Sequence, residues 1–330
     1  MAESSGQMLC STDGLTRLRE RLGKIGKLRG WHLGACHARQ PERDCVIYEA
    51  FDREGRAHWL LAGPWREWPR VSGLWNQLYW ASEIIASSSH IFRFMDQMVP
   101  EIAWEGVEEG YVGYSEKRKT RSFFQDISDS NPPRFENLVQ LTGFLRLLQT
   151  GENYFERKES RLMMAQMESR AVDLVEALAG RIPKKPVFRH WKSFYIQNAR
   201  SISRSTSNRL TLSFGAFATT CFTCTECGAL LIDLPFFLSE NIADMDLCKI
   251  LFDLSGASVQ DRQYLMDLYF NMDIPSHFFT LLTHHAMTSI LHDLRRSPAG
   301  SASESRKIDR FASLSRQHDL FRTPVPSWYL

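Results

Sequence analysis

Three cysteines set three residues apart, Cys221, Cys224 and Cys227, stand between the apolar runs "RLTLSFGAF" and "ALLIDLPFF". Ahead of them Leu210, Leu212 and Phe214 alternate with polar or small residues, the period of a strand, and the run behind them is equally β-prone. Residues 209–238 are therefore predicted as a hairpin with the cysteines at its tip. Within it "CTECG" has the form of a zinc knuckle, in which two thiolates grip one face of a tetrahedral ion while a glycine lets backbone amides turn toward sulfur. A closed tetrahedron needs two further ligands, and Cys221, Cys248 or a histidine such as His284 or His285 can supply them. The expected metal set is Cys221, Cys224, Cys227 and Cys248, with zinc as the ion. An iron-sulfur cluster is the lesser alternative, because the spacing matches part of a bacterial ferredoxin motif whose fourth cysteine and proline are here replaced by Leu231 and Ile232. A third reading is packing alone, with small, soft side chains lining a buried tip.

Seven cysteines, spread as Cys10, Cys36, Cys45 and the later four, do not form the even framework of a disulfide-stapled domain. The start "MAESSGQMLCSTDG" lacks the basic end and apolar centre of a secretory signal, which places the chain in a reducing cytoplasm. Its apolar stretches are broken by Asp233 or by serines, so none is expected to span a bilayer. At 330 residues and 43% apolar composition the chain can bury real cores, in two domains or one large one.

The formal net charge of +2 is close to neutral, yet its distribution is uneven. No acidic residue occurs between Glu176 and Glu226, whereas Lys184, Lys185, Arg189, Lys192, Arg200, Arg204 and Arg209 fall inside that window with Arg181 and His190. The stretch "VFRHWKSFYIQNARSISRSTSNR" interleaves these bases with Phe188, Trp191, Phe194 and Tyr195 and with serines and asparagines that can donate to phosphate. Such a surface releases counterions from a phosphate backbone. The competing reading is a solvated basic helix face whose aromatics are core and whose charges pair with the acidic region 233–261.

Along the chain, Leu15, Leu18, Leu22 and Ile25 predict an amphipathic, basic first helix after a cap at Thr12 or Asp13. The runs "CVIYEAF" and "AHWLLAG" predict a hairpin turning at Gly55. Residues 71–98 read as a Trp-rich helix, residues 101–133 as irregular, and residues 135–148 and 153–179 as helices, the last ended by Gly180. Later, "DRQYLMDLYFNMDIPSHFFTLLTHHAMTSILHDLRRSP" can be parsed as a helix-turn-helix whose last helix presents His284, His285, Thr288 and Ser289 near its start and Arg295 and Arg296 at its end. It can equally be parsed with residues 275–296 as one continuous core helix.

The expected fold is mainly α with small β-hairpins, an α+β arrangement of helical domains with a zinc-knuckle-like hairpin and a helix-turn-helix. Four parts are expected: 1–130 with a β-hairpin at 45–63; 131–256 with the basic stretch and the cysteine hairpin 209–238; the helix-turn-helix at 257–297; and a linker and tail at 298–330. The expected function is nucleic-acid binding, in the form of a DNA-binding transcription regulator with a structural metal site. Lys184, Lys185, Arg189, Lys192, Arg200, Arg204, Arg209, His284, His285, Arg295 and Arg296 would face the polyanion. The alternative is a helical scaffold or adaptor anchored by Trp65, Trp68, Trp75, Trp80 and the tail "VPSWYL". No Gly-x-x-x-x-Gly-Lys loop, Gly-x-Ser-x-Gly or His-Glu-x-x-His occurs, so catalysis is not the expected role.

Overall fold

The structure, a computed structural model, describes residues 12–40, 45–63, 68–88, 98–106, 109–114, 121–122, 133–149, 157–205, 210–213, 222–224, 230–232, 239–254 and 258–330. The chain forms two compact units, one from Met1–Gln125 with Thr220–Leu238 and one from Asp126–Thr219 with Ser239–Leu330.

The first unit begins with helix α1 (Thr12–Arg29), whose Leu15, Leu18 and Leu22 are buried while Arg17, Arg19, Arg21 and Lys24 are exposed. Gly30 ends it at φ +88°, donating back to the Gly26 carbonyl as a left-handed cap does. Five strands follow: β1 (His32–Gln40), β2 (Cys45–Phe51), β3 (Ala57–Ala62), β4 (Ile102–Gly106) and β5 (Tyr111–Tyr114). They pair antiparallel in the order β1-β2-β3-β5-β4. Between β2 and β3 the chain turns at Gly55, φ +80°, where one Asp52 carboxylate oxygen accepts from the amides of Glu54 and Arg56 at 2.9 Å each. Alternate strand residues face opposite sides of a sheet. Val46, Tyr48, Ala50, Leu60, Ala62 and Tyr111 accordingly share a core with α1. On the other parity, Tyr114 meets the edge of Trp75 from helix α2 (Trp68–Ser88), and the Trp75 indole donates to the Pro100 carbonyl at 2.8 Å. The unit also holds a three-stranded sheet of β6 (Arg121–Ser122), β8 (Phe222–Cys224) and β9 (Leu230–Ile232).

The second unit is helical. Its elements are α3 (Phe135–Gln149), α4 (Arg157–Leu178), a short 3₁₀ turn (Pro186–Phe188), α5 (Trp191–Arg204), α6 (Met245–Asp253), α7 (Val259–Phe270), α8 (Ser276–Arg296) and α9 (Ala302–Gln317). A pair of strands, β7 (Leu210–Ser213) and β10 (Ser239–Ile242), lies among them. Helix α8 packs against α4, α5, α6 and α9, and Met287, Ile290, Leu291 and Leu294 join Leu174, Leu178, Trp191, Phe194 and Phe311 in one core. Burying a Leu, Met or Phe side chain stabilises by roughly 1.5–3 kcal/mol, so this cluster contributes substantially to the unit's stability.

Two expectations are corrected here. The chain is not a set of helical domains with small hairpins, because a five-stranded antiparallel sheet organises its first unit. Strand β1 carries two register shifts, β5 contains Gly113, and β2 and β3 are buried on both faces, so alternation is blurred where the sheet is most continuous. The helix-turn-helix parse also fails. Residues 276–296 are one unbroken helix with Thr283 and His284 buried at its middle, where the parse requires a break and an exposed start.

Candidate functional site

On α8, His284, Thr288, His292 and Arg295 recur at helical spacing and share one face. That face lines a cavity of about 480 Å³, with Met167, Arg170 and Asp173 from α4, Tyr195 from α5, Asn241 from β10 and Met245 from α6. The Tyr195 ring stacks on the His284 imidazole, centroids 4.7 Å apart and planes 11° from parallel, and its hydroxyl shares a 2.8 Å hydrogen bond with Thr288 Oγ1. Burial lowers His284 to about 4 and raises Tyr195 to about 12, so near neutral pH the pair is an uncharged imidazole and an intact phenol. Among the described residues buried His284 Nδ1 has no hydrogen-bond partner. A buried polar atom left unmatched in a cavity wall is a natural contact for a ligand's polar group.

A second polar cluster ties β7 to the helix after β10. Ser213, the last residue of β7, donates from Oγ to Asp246 at 2.8 Å, and Lys249 Nζ reaches the same carboxylate oxygen at 2.7 Å. Asp244, in the left-handed region at φ 67°, accepts from the Tyr269 hydroxyl at 2.8 Å and from the Gln149 amide at 2.6 Å. Arg146 completes the cluster by donating to the carbonyls of Leu268 and Tyr269 at the end of α7. These bonds anchor the end of β7 from which the chain departs toward the cysteine segment.

The residues expected to hold metal or phosphate are placed otherwise. Cys221, Cys227 and Arg209 lie outside the described residues. Cys224 ends β8, and Cys248 is fully buried in α6, where desolvation and neighbouring Asp244 push its thiol well above the ordinary range. A thiol held protonated is a poor ligand, since metals bind the thiolate. Among the described residues no group of three or more His, Cys, Asp or Glu could hold a metal ion. Lys184, Lys185, Arg189 and Lys192 are exposed near the start of α5, but Phe188, Trp191, Phe194 and Tyr195 are core residues and cannot act as stacking platforms. Arg200 is bonded to Glu168 of α4 through Nε and Nη2 at 2.8 and 2.6 Å, and Arg204 bears on the same carboxylate. His284 is buried and His285 partly so, while Arg295 and Arg296 are exposed at the far end of α8. Of the tryptophans offered as partner anchors, Trp75 is core, Trp80 is exposed and Trp65 lies outside the described residues. The tail folds back on its own chain, Trp328 lying under Arg262 and Tyr329 against Phe279.

No known protein-family model matches this sequence, and no curated protein matches it. Among solved structures, the GDP complex of wild-type aminoglycoside 2'-phosphotransferase-IIIa is similar over 91% of this chain and 98% of its own, at 12% identity and a TM-score of 0.51. This chain shares that protein's fold. Also similar are an aminoglycoside phosphotransferase from Alicyclobacillus acidocaldarius (9% identity, 88% and 90% covered, TM-score 0.49) and amicoumacin kinase hAmiN in complex with AMP-PNP and Ca2+ (13%, 96% and 98%, 0.48).

The phosphotransferase fold, with the burial of the basic stretch's aromatics, overturns the DNA-binding regulator and its nucleic-acid partner. With Trp75 in the core and the tail packed on α7 and α8, the scaffold reading loses those of its anchors. Zinc and the iron-sulfur alternative lose their support, since no ligand group exists among the described residues. No helix among the described residues is long and apolar enough to cross a membrane. What the sequence reading missed is the Tyr195, His284 and Thr288 constellation. Its signal was the recurrence of polar residues at 284, 288 and 292, of which His284 and Thr288 were read instead as a groove-facing start.

Proposed function

We propose that this chain is a small-molecule phosphotransferase, taking a nucleoside triphosphate and a hydroxyl-bearing organic substrate. The observation that carries this reading is the fold, matched across nearly the whole of both chains. The cavity lined by Tyr195, His284 and Thr288 supports it, since an uncharged imidazole and two hydroxyls suit a polar, neutral substrate. Phosphoryl transfer is catalysed by positioning and by cations that neutralise the phosphates, with acidic residues holding the metal and accepting the substrate proton. Asp233, directly after β9, is the first carboxylate of the chain beyond Glu226 and the residue we assign to the metal. Reduced cysteines such as Cys36, Cys45, Cys224 and Cys248 suit a cytoplasmic setting.

One observation favours a second reading, binding without transfer. Kinases of this general plan carry a lysine on the third strand, a glycine-rich phosphate loop and an aspartate base in the catalytic loop. Here β3 reads "AHWLLA", and its one ionisable residue, His58, is buried between the Tyr114 carbonyl and Asp52. Residues 41–44 between β1 and β2 are "PERD", without glycine, and residues 177–225 contain no carboxylate.

Titration of the full chain with ATP and with GTP in the presence of Mg2+, followed by transfer of radiolabelled γ-phosphate to sugars, amino sugars and amino alcohols, separates the readings. Saturable nucleotide binding with transfer that Asp233→Asn abolishes supports the first. Binding with no transfer to any acceptor selects the second. Failure to bind either nucleotide overturns both.

A further inference from the structure

The second unit contains another cavity, of about 250 Å³, lined by α6, α7, α8, α9 and the C-terminal tail and open on one side. Arg310, Ser313, Leu314 and Gln317 reach it from one face of α9, and Arg262 from α7. Both arginines are held by aromatic faces, Arg262 at 4.7 Å from the Trp328 ring centroid and Arg310 at 4.1 Å from that of Phe252. Neither has an ion pair among the described residues, and Arg262 Nε is buried without a hydrogen-bond partner. Among the described residues no Asp or Glu lines the cavity, and an aliphatic wall from Leu251, Leu282, Ala286 and Ile290 stands beside the His318 and Trp328 rings. Arg262 is half-buried and Arg310 stands exposed at the rim, so two positive groups without an ion pair among the described residues meet at a cavity whose walls are part polar and part apolar. Guanidinium suits an anion there, because its planar fork matches a carboxylate or phosphate in two parallel hydrogen bonds. The volume lies below the roughly 300 Å³ at which pockets for drug-sized ligands begin, and suits a single-ring compound.

We propose that this cavity binds a small molecule made of one apolar ring and one anionic group, its anion held by Arg262 and Arg310 and its ring by the aliphatic wall. Ser313 and Gln317 add hydrogen-bonding groups beside the anion. The arrangement lies wholly within the second unit and does not depend on phosphoryl transfer, so the two proposals fail separately.

Calorimetric titration of the full-length protein with benzoate, phenyl phosphate and benzyl alcohol tests it. Saturable one-to-one binding of benzoate or phenyl phosphate, at least tenfold tighter than benzyl alcohol, is expected, and the preferred anion identifies the ligand's headgroup. Arg262→Gln and Arg310→Gln should each weaken that binding at least tenfold, with melting curves confirming a folded chain. No binding of either anion, equal binding of the alcohol, or unchanged affinity in both folded variants would overturn the proposal. Should a glutamine variant not fold, the comparison of anion with alcohol on the unaltered protein decides the matter alone.

Discussion

His284 lies in the second unit's core with its ring flat against Tyr195, and His318 is buried against the Thr283 hydroxyl, Nδ1 to Oγ1 at 3.0 Å. Burial lowers both from 6.5 to about 4. Between those two values the unfolded chain binds more protons than the folded one, so stability is full above about 6.5 and falls as pH drops toward 4. Each histidine should remove about 2 kcal/mol between about pH 7 and about pH 5. Urea midpoints at the two pH values measure this, and because burial lowers His285 likewise, to about 3, His284→Phe, which keeps the stacked ring, should remove about a third of the difference. A flat profile for the unaltered protein would contradict the burial of both rings. Phe311 is fully buried and meets the rings of Phe188, Trp191 and Phe321. Truncating it to alanine should cost roughly 3–5 kcal/mol, read as a lowered denaturation midpoint with the slope unchanged.

Helix α9 shows how an element is held at its end. Ser301 accepts from the Glu304 amide at 3.1 Å, while the Glu304 carboxylate reaches back to the Gly300 amide, the reciprocal capping box read as Ser-x-x-Glu. The same carboxylate takes Arg181 through Nε at 2.8 Å and Nη2 at 2.6 Å, and Arg181 also donates to the Ser297 carbonyl at 2.7 Å. The Gly300 amide and the Arg181 guanidinium together hold the Glu304 carboxyl below its ordinary range, so the clamp loosens only under acid. Ser301→Ala should cost about 1 kcal/mol, the usual value of a lost cap. Glu304→Ala should lower the melting temperature further than Ser301→Ala, since it removes the cap's return bond and Arg181's carboxylate at once; the reverse order would show that the ion pair contributes little. Helix α8 makes the complementary point. Apolar at 278, 281, 282, 286, 287, 290, 291 and 294, it is covered by four neighbouring helices, and its polar residues 284, 288 and 292 are left to line a cavity.

For the whole molecule, the absence of a ligand cluster among the described residues predicts that excess EDTA leaves the melting curve unchanged and that metal analysis finds zinc well below one per chain. One zinc per chain, lost together with stability in Cys224→Ser, would reinstate a metal at the cysteine segment. The features legible in the sequence were local ones. The Leu15, Leu18 and Leu22 stripe and the turn at Gly55 each arise from contacts within a few residues, through helical periodicity or a positive φ that glycine adopts without strain. The sheet order was not legible, because β4 and β5 are brought to β3 from some fifty residues away and alternation disappears where both faces are covered. Nor was the fate of the basic window: a positive helix face has the same composition whether it meets a polyanion or the Glu168 carboxylate on α4. The amino-acid sequence alone determined that segments such as residues 12–29 coil and that residues 45–62 extend and turn back. Only the tertiary structure decided which polar groups were buried together, since that depends on long-range packing, and it is those groups that make the cavities.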